Sequence, residues 1–241
     1  MELLIDRVGK LYGKSVWALK DVSLKLSPGV LGLLGPNGAG KSTLMKILAT
    51  ITKPTQGVVT WNGDDIAKKP DRLREVLGYL PQDFGVYPNL NAVEFLSYLA
   101  AARGLSGSQA SARIDWLLEA VNLRDVRKRP LGGYSGGMRQ RLGIAQSLLN
   151  DPRVLIVDEP TVGLDPEERV RFRNLLSELS GDRVVLLSTH IVSDVEAVAS
   201  RIVLIDRGQL KGDTTAEALL DSVRGRVWEW PVADKDLPAV R

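Results

Sequence analysis

The residues Gly35, Pro36, Asn37, Gly38, Ala39, Gly40, Lys41 and Ser42 form the strongest chemical signal in this 241-residue chain. They match the phosphate-binding loop pattern, with an apolar run at 30–34 before them and a helix-forming segment at 42–50 after them. Phosphate oxygens need many convergent N–H groups, and only small residues let the backbone wrap them that closely. Lys41 is placed to reach the β- and γ-phosphates of a nucleotide, and Ser42 to hold Mg²⁺. Thr43, at the helix N-terminus, can turn an N–H or hydroxyl toward phosphate.

The complementary carboxylates close the run Val154-Leu-Ile-Val-Asp158-Glu159-Pro160. An apolar strand ending in acid sets Asp158 and Glu159 at the carboxyl edge of a sheet, where open α/β sheets bind ligands. Asp158 suits the shell of a magnesium ion. Glu159 is expected to point elsewhere and to polarise or deprotonate an attacking water.

The elements that must position these groups follow from periodicity. Short strands are expected at 3–8, 22–26, 30–34 and 57–61, with turns at Gly13, Pro28-Gly29 and Asn62-Gly63, and another strand at 77–80. Apolar residues then recur at helical spacing from Asn91 to Leu149, with breaks near Gly104 and Gly107 and a third helix expected over 138–149. Strands return at 154–157, 184–187 and 202–205. Asp165 is a candidate cap for a helix opening on Pro166, Glu167 and Glu168 and ending at Gly181. This pattern is a layered α/β fold with a mostly parallel sheet and an inserted helical block. Beyond Gly225, strand-like alternation at 227–230 is followed by polar, Pro-broken sequence.

Composition narrows the function. With 44% apolar and 25% charged residues the chain is ordinary globular material. It has no cysteine, which excludes thiol chemistry, disulfides and Cys-based metal sites. His190 is its one histidine, so any histidine-dependent step falls to it. The net charge of +3 comes from interspersed residues, too weak a bias for a nucleic-acid partner. No apolar run approaches the roughly 18 residues of a membrane span. The N-terminus lacks the layout of a secretory signal, so a cytoplasmic protein is expected.

Tyr134-Ser135-Gly136-Gly137-Met138-Arg-Gln-Arg141 resembles the signature of the ABC ATPases, and the resemblance extends over roughly residues 2–222. It implies a phosphate-loop NTPase of the ABC ATPase type: a RecA-like core over 1–88 and 150–222, an N-terminal antiparallel β-subdomain, and a helical subdomain over about 89–149. Residues 223–241 are left as a short tail without assigned role. The resemblance implies that Ser135, Gly136 and Gly137 bind the γ-phosphate of an ATP held on a second subunit, from the N-terminus of a helix. It further implies that Tyr12 stacks on adenine and that Gln82 touches Mg²⁺ and the attacking water. Gly163-Leu-Asp165 would cross the dimer interface, and His190 would bond the γ-phosphate. The commonest family form carries Leu at position 134 and Gln at 138. Tyr134 and Met138, with the segment Pro81-Gln-Asp-Phe-Gly-Val-Tyr-Pro88, resemble the ABC-2-type exporter branch.

The implied function is hydrolysis of ATP by the motor subunit of a transporter. Two ATP molecules are held between two subunits, in a homodimer or with a closely related second ATPase. Separate transmembrane permease subunits dock near residues 82–87 and 91–103, at the cytoplasmic face of the membrane. A DNA-repair relative would carry a long coiled-coil insertion, a translation factor two cassettes, and a GTPase an Asn-Lys-x-Asp run; the sequence has none of these. A non-catalytic regulatory ABC subunit would have no need of Glu159, Gln82 and His190 together. Lys41→Ala removes a charged hydrogen bond worth roughly 1.5–3 kcal/mol, so titration with Mg·ATP is expected to show affinity at least about tenfold weaker. Unchanged affinity would remove this loop from the nucleotide site.

Overall fold

The computed structural model describes residues 1–224; the alternation at 227–230 and nearly all of the expected tail lie outside them. Strands β1 (Leu3–Tyr12) and β2 (Val16–Leu26) form an antiparallel hairpin, and β3 (Gly29–Leu34) leads through the glycine loop into α1 (Lys41–Leu48). Strands β4 (Gln56–Trp61) and β5 (Asp64–Asp65) complete an antiparallel sheet of order β2-β1-β4-β5. A short helix α2 (Asp71–Arg74) precedes β6 (Leu77–Leu80).

The helical block follows: α3 (Ala92–Ala102), α4 (Gly107–Ala120) and, after a 3₁₀ turn at Leu131–Gly133, α5 (Gly136–Ser147). Its first helix is capped reciprocally, Asn91 Oδ1 accepting from Glu94 N at 3.0 Å and Glu94 Oε2 from Asn91 N at 2.9 Å. The chain then returns through β7 (Val154–Asp158), α6 (Pro166–Leu179), β8 (Val184–Thr189) and α7 (Val192–Glu196). It closes the described part with β9 (Arg201–Asp206), β10 (Gln209–Thr214) and α8 (Ala216–Val223). Asp165 caps α6, its Oδ1 accepting from Glu168 N at 2.9 Å, with Pro166 in the first turn.

The second sheet has six strands in the order β10-β9-β3-β8-β7-β6. Five run parallel, and β10 pairs antiparallel with β9. Its central strands are buried on both faces, which is why they read as continuous apolar runs. Val154 and Ile156 of β7, with Val184 and Leu186 of β8, pack toward α1 and the antiparallel sheet. Leu155, Val157, Val185 and Leu187 pack on the opposite face, against α3–α6.

Several boundaries differ from the sequence expectation. Strands β1 and β2 run farther, through the polar residues near Tyr12 and Val16, because each has a paired neighbour there. Helix α5 starts at Gly136 rather than at Met138, since the Ser135 side chain caps it. Strand β10 and helix α8 were not expected. β10 reads Gln-Leu-Lys-Gly-Asp-Thr and alternates exposed with half-buried positions at the sheet edge, so it lacks the apolar run used to find strands.

Gly78 shows how closely the helical block lies on the sheet. A Cβ at that position would lie 2.0 Å from the carbonyl oxygen of Ser147, at the end of α5. Alanine ordinarily favours a strand over glycine, but here Gly78→Ala is expected to destabilise by about 1–3 kcal/mol. Thermal unfolding should show a melting temperature lower by several degrees, and a raised one would contradict this packing.

Candidate active site

The loop between β3 and α1 closes tightly on the sheet. A Cβ at Gly35 would lie 2.2 Å from the carbonyl oxygen of Ile205 in β9, so no larger residue fits without moving the strand. Lys41, first residue of α1, is buried, and its Nζ donates to Gly35 O at 2.6 Å and Pro36 O at 3.3 Å. A cavity of about 320 Å³ lies over this loop, lined by residues 36–43 with Ala18, Gln82 and Glu159. Ser42 and Thr43 thus face the same space as Gln82, which follows β6.

The two acids at the end of β7 diverge as expected. Asp158 is buried and accepts a hydrogen bond from the Ser188 hydroxyl of β8. Glu159 adopts a left-handed backbone conformation, φ 51°, uncommon for a residue with a side chain and found where surroundings impose it. Its amide donates to Ser188 O at 2.9 Å, and its side chain turns back over the loop. Glu159 Oε1 lies 3.6 Å from Lys41 Nζ, and Oε2 lies 2.9 Å from His190 Nδ1. Lys41 and Glu159 are both buried, whereas the His190 side chain is 53% exposed.

Tyr79 and Asp158 share one face of the sheet, because Tyr79 pairs with Ile156 and side chains alternate along the strand. Burial, with the Asp158 charge adding to it, pushes the Tyr79 phenol up to about 12. Its buried hydroxyl has no hydrogen-bond partner among the described residues.

Other residues singled out in the sequence stand apart from this cavity. Tyr12 is 43% exposed at the end of β1, with Lys10 Nζ 5.3 Å from its ring centre, and Ala18 borders the cavity instead. Ser135, Gly136 and Gly137 lie at the N-terminus of α5 and do not line it. The Ser135 hydroxyl accepts from Met138 N at 3.2 Å, so it already serves the helix as its cap. Tyr134 is turned into the core, and its hydroxyl donates to Val126 O at 3.0 Å. Ser188 was missed; its only mark in the sequence is a hydroxyl inside the apolar run of β8.

The donors near the cavity suit magnesium. Ser42, Asp158 and Gln82 offer hydroxyl, carboxylate and amide oxygens, the hard ligands that this ion takes. Among the described residues no three His, Cys, Asp or Glu side chains converge on one point. Magnesium held by one or two carboxylates and substrate phosphates needs no such cage.

The phosphate loop, the diverging acids and the inserted helical block define an ATPase fold of the phosphate-loop, RecA-like class, with an N-terminal β-subdomain and a helical subdomain. The family described as ABC transporter matches residues 19–162. The ABC transporter ATP-binding protein NatA of Bacillus subtilis is 37% identical over 214 residues, covering 88% of this chain and 87% of that protein. The Nod factor export ATP-binding protein I of Cupriavidus metallidurans is 36% identical over 225 residues, covering 92% and 74%. A dimeric post-hydrolysis structure of the ATP-binding cassette MJ0796, bound to ADP and Pi, superposes with a TM-score of 0.81 at 27% identity, covering 88% of this chain and 98% of that one. The chain belongs to the ABC transporter family, as an ATP-binding subunit, and membership implies ATP hydrolysis. Among its described residues no helix is long and apolar enough to cross a membrane.

The burial of Tyr134 separates stability from chemistry at the signature. Tyr134→Phe loses one hydrogen bond, worth about 1 kcal/mol. Denaturant unfolding should register that loss while Mg·ATP affinity stays at the parent value; a large loss of affinity would give the hydroxyl a role in binding.

Proposed function

We propose that this chain is the ATP-hydrolysing motor of an ABC-2-type exporter, and that Lys41, Glu159 and His190 form the centre of its hydrolytic site. The observation that carries the reading is the run of contacts from Lys41 Nζ to Glu159 at 3.6 Å and from Glu159 to His190 at 2.9 Å. It joins a phosphate-reaching cation and a carboxylate, both lining the cavity over the glycine loop, to a half-exposed imidazole beside them.

In this reading the loop amides and Lys41 hold the β- and γ-phosphates, with Thr43 assisting from the helix N-terminus. Ser42, Asp158 and Gln82 would hold Mg²⁺, which neutralises developing charge on the phosphate oxygens. Glu159 takes a proton from the attacking water as its oxygen approaches the γ-phosphorus. The bond to the bridging oxygen breaks in line, leaving ADP and phosphate. His190 orients the carboxylate through Nδ1 and presents its other nitrogen to the γ-phosphate. Tyr12 is assigned to adenine by its resemblance to the aromatic residue that stacks on the base in this family; it stands apart from the cavity lining.

The site is completed by a second subunit, whose Ser135, Gly136 and Gly137 cap the γ-phosphate while those of this chain serve the partner. The dimeric arrangement of the MJ0796 relative supports this. The proposed unit is one cassette over 1–222, its helical subdomain spanning about 89–149. Permease subunits dock on the face formed by residues 82–87 and α3, at the cytoplasmic side of the membrane. Tyr87 and Tyr98 are exposed there with their rings edge to face, centroids 5.9 Å apart, the rigid amphipathic surface that interfaces favour. The export direction draws on the Tyr134 and Met138 departures and on the name of the Nod factor export relative.

Glu159→Gln separates a motor from a passive binder. It keeps size and removes basicity, so hydrolysis is expected to fall by about 10² to 10⁴-fold. Mg·ATP affinity should be kept or improved, because a negative charge near the phosphates is removed, and an ATP-bound dimer should persist on size-exclusion chromatography. Phosphate release at the parent rate, itself first shown to exceed background, would exclude Glu159 as the base.

A further inference from the structure

The turn after Glu159 and the helix after His190 are joined by a buried contact outside the hydrolytic centre described above. Thr161 is buried, and its hydroxyl donates to Asp194 Oδ2 at 2.6 Å; Asp194, in the first turn of α7, is itself only 3% exposed. Arg173 of α6 faces the other oxygen, its Nη1 4.0 Å from Asp194 Oδ1. A buried carboxylate short of donors is costly, so this one holds its hydroxyl partner firmly.

Glu159 requires such holding. Its left-handed φ of 51° is one that a residue with a side chain leaves unless its neighbours impose it. On one side its amide is tied to Ser188 O of β8 at 2.9 Å. Gln140 of α5 donates to the next carbonyl, Pro160 O, at 3.0 Å. The far side of the turn is closed by Thr161. Asp194 belongs to the short helix that begins just beyond His190, so this hydrogen bond joins the turn that follows Glu159 to the helix that follows His190, the two members of the 2.9 Å contact.

We propose that Thr161 and Asp194 are positioning residues for hydrolysis, a latch between the ends of β7 and β8 that holds the Glu159 turn at its distance from His190. The proposal rests on the reading of Glu159 as the base. Neither residue lines the nucleotide cavity, so the latch acts on turnover and leaves nucleotide affinity alone.

Thr161→Val keeps the side-chain shape and removes the donor. A misplaced base slows chemistry more than it weakens binding, so kcat is expected to fall about tenfold or more with the Kd for Mg·ATP within about twofold of the parent's. Thr161→Ser, which keeps the hydroxyl, should restore kcat. In a Glu159→Gln background the Thr161→Val change should not lower the residual single-turnover rate further, because its effect passes through that carboxylate. A merely structural role would slow both backgrounds by the same factor. Thr161→Val leaves Asp194 short of a donor, so Thr161→Val/Asp194→Leu, lacking both partners, is measured beside it. Its melting temperature is expected to recover while kcat stays low. Parental kcat in Thr161→Val, equal losses in both backgrounds, or recovery of kcat in the double variant would overturn the latch. Parental hydrolysis by Glu159→Gln alone would instead overturn the assignment of the base on which the latch depends.

Discussion

A lysine ammonium and a glutamate carboxylate, both buried, lie 3.6 Å apart where the glycine loop meets the end of β7. Removing either charge from water alone would cost several kcal/mol, so each is held only because the other is there and because polar backbone surrounds them. Lys41 adds hydrogen bonds to Gly35 O and Pro36 O, and Glu159 adds its contact with His190. The pair is a constraint as well as an interaction. It demands that the first residue of α1, the end of β7 and the end of β8 converge on one point, and the remaining architecture meets that demand.

The central sheet meets it through strand order. β8 lies between β3 and β7, so the loop leaving β3 and the residues ending β7 and β8 emerge side by side at the carboxyl edge. Both faces of these strands are packed, against α1 on one side and α3–α6 on the other. A platform so confined can sustain a residue such as Glu159 in a left-handed conformation, which an isolated turn would relax.

The helical block is bound to that platform by polar contacts as well as by packing. Arg141 of α5 pairs with Glu168 of α6 at 2.8 Å, both side chains largely buried, and Asn122 Nδ2 donates to the same carboxylate oxygen at 2.8 Å. Gln140, the neighbour of Arg141, reaches Pro160 O beside Glu159. Helix α5 therefore carries the signature residues at its N-terminus and touches the turn of Glu159 from its side. A displacement of this helix bears directly on that turn, because packed polar networks break in discrete steps rather than stretch.

The phosphate loop, the Asp158-Glu159 pair and the Ser135–Gly137 signature were legible in the sequence because each is a local pattern whose chemistry depends on a few consecutive residues. The buried strands were legible for the same reason, as short apolar runs closed by turn residues, while the edge strand β10, half solvated, had no such run. The sequence alone thus determined the class of the protein and marked the residues proposed for its site. Only the tertiary structure decided how those groups meet: that Glu159 faces Lys41 and His190 while Asp158 faces Ser188, that Tyr134 enters the core, that Tyr12 stands away from the cavity, and that Thr161 is bonded to Asp194. These contacts join residues on strands adjacent in the sheet and distant along the chain, and the crossover order that makes them neighbours is set by packing over the whole domain, which no local spacing records.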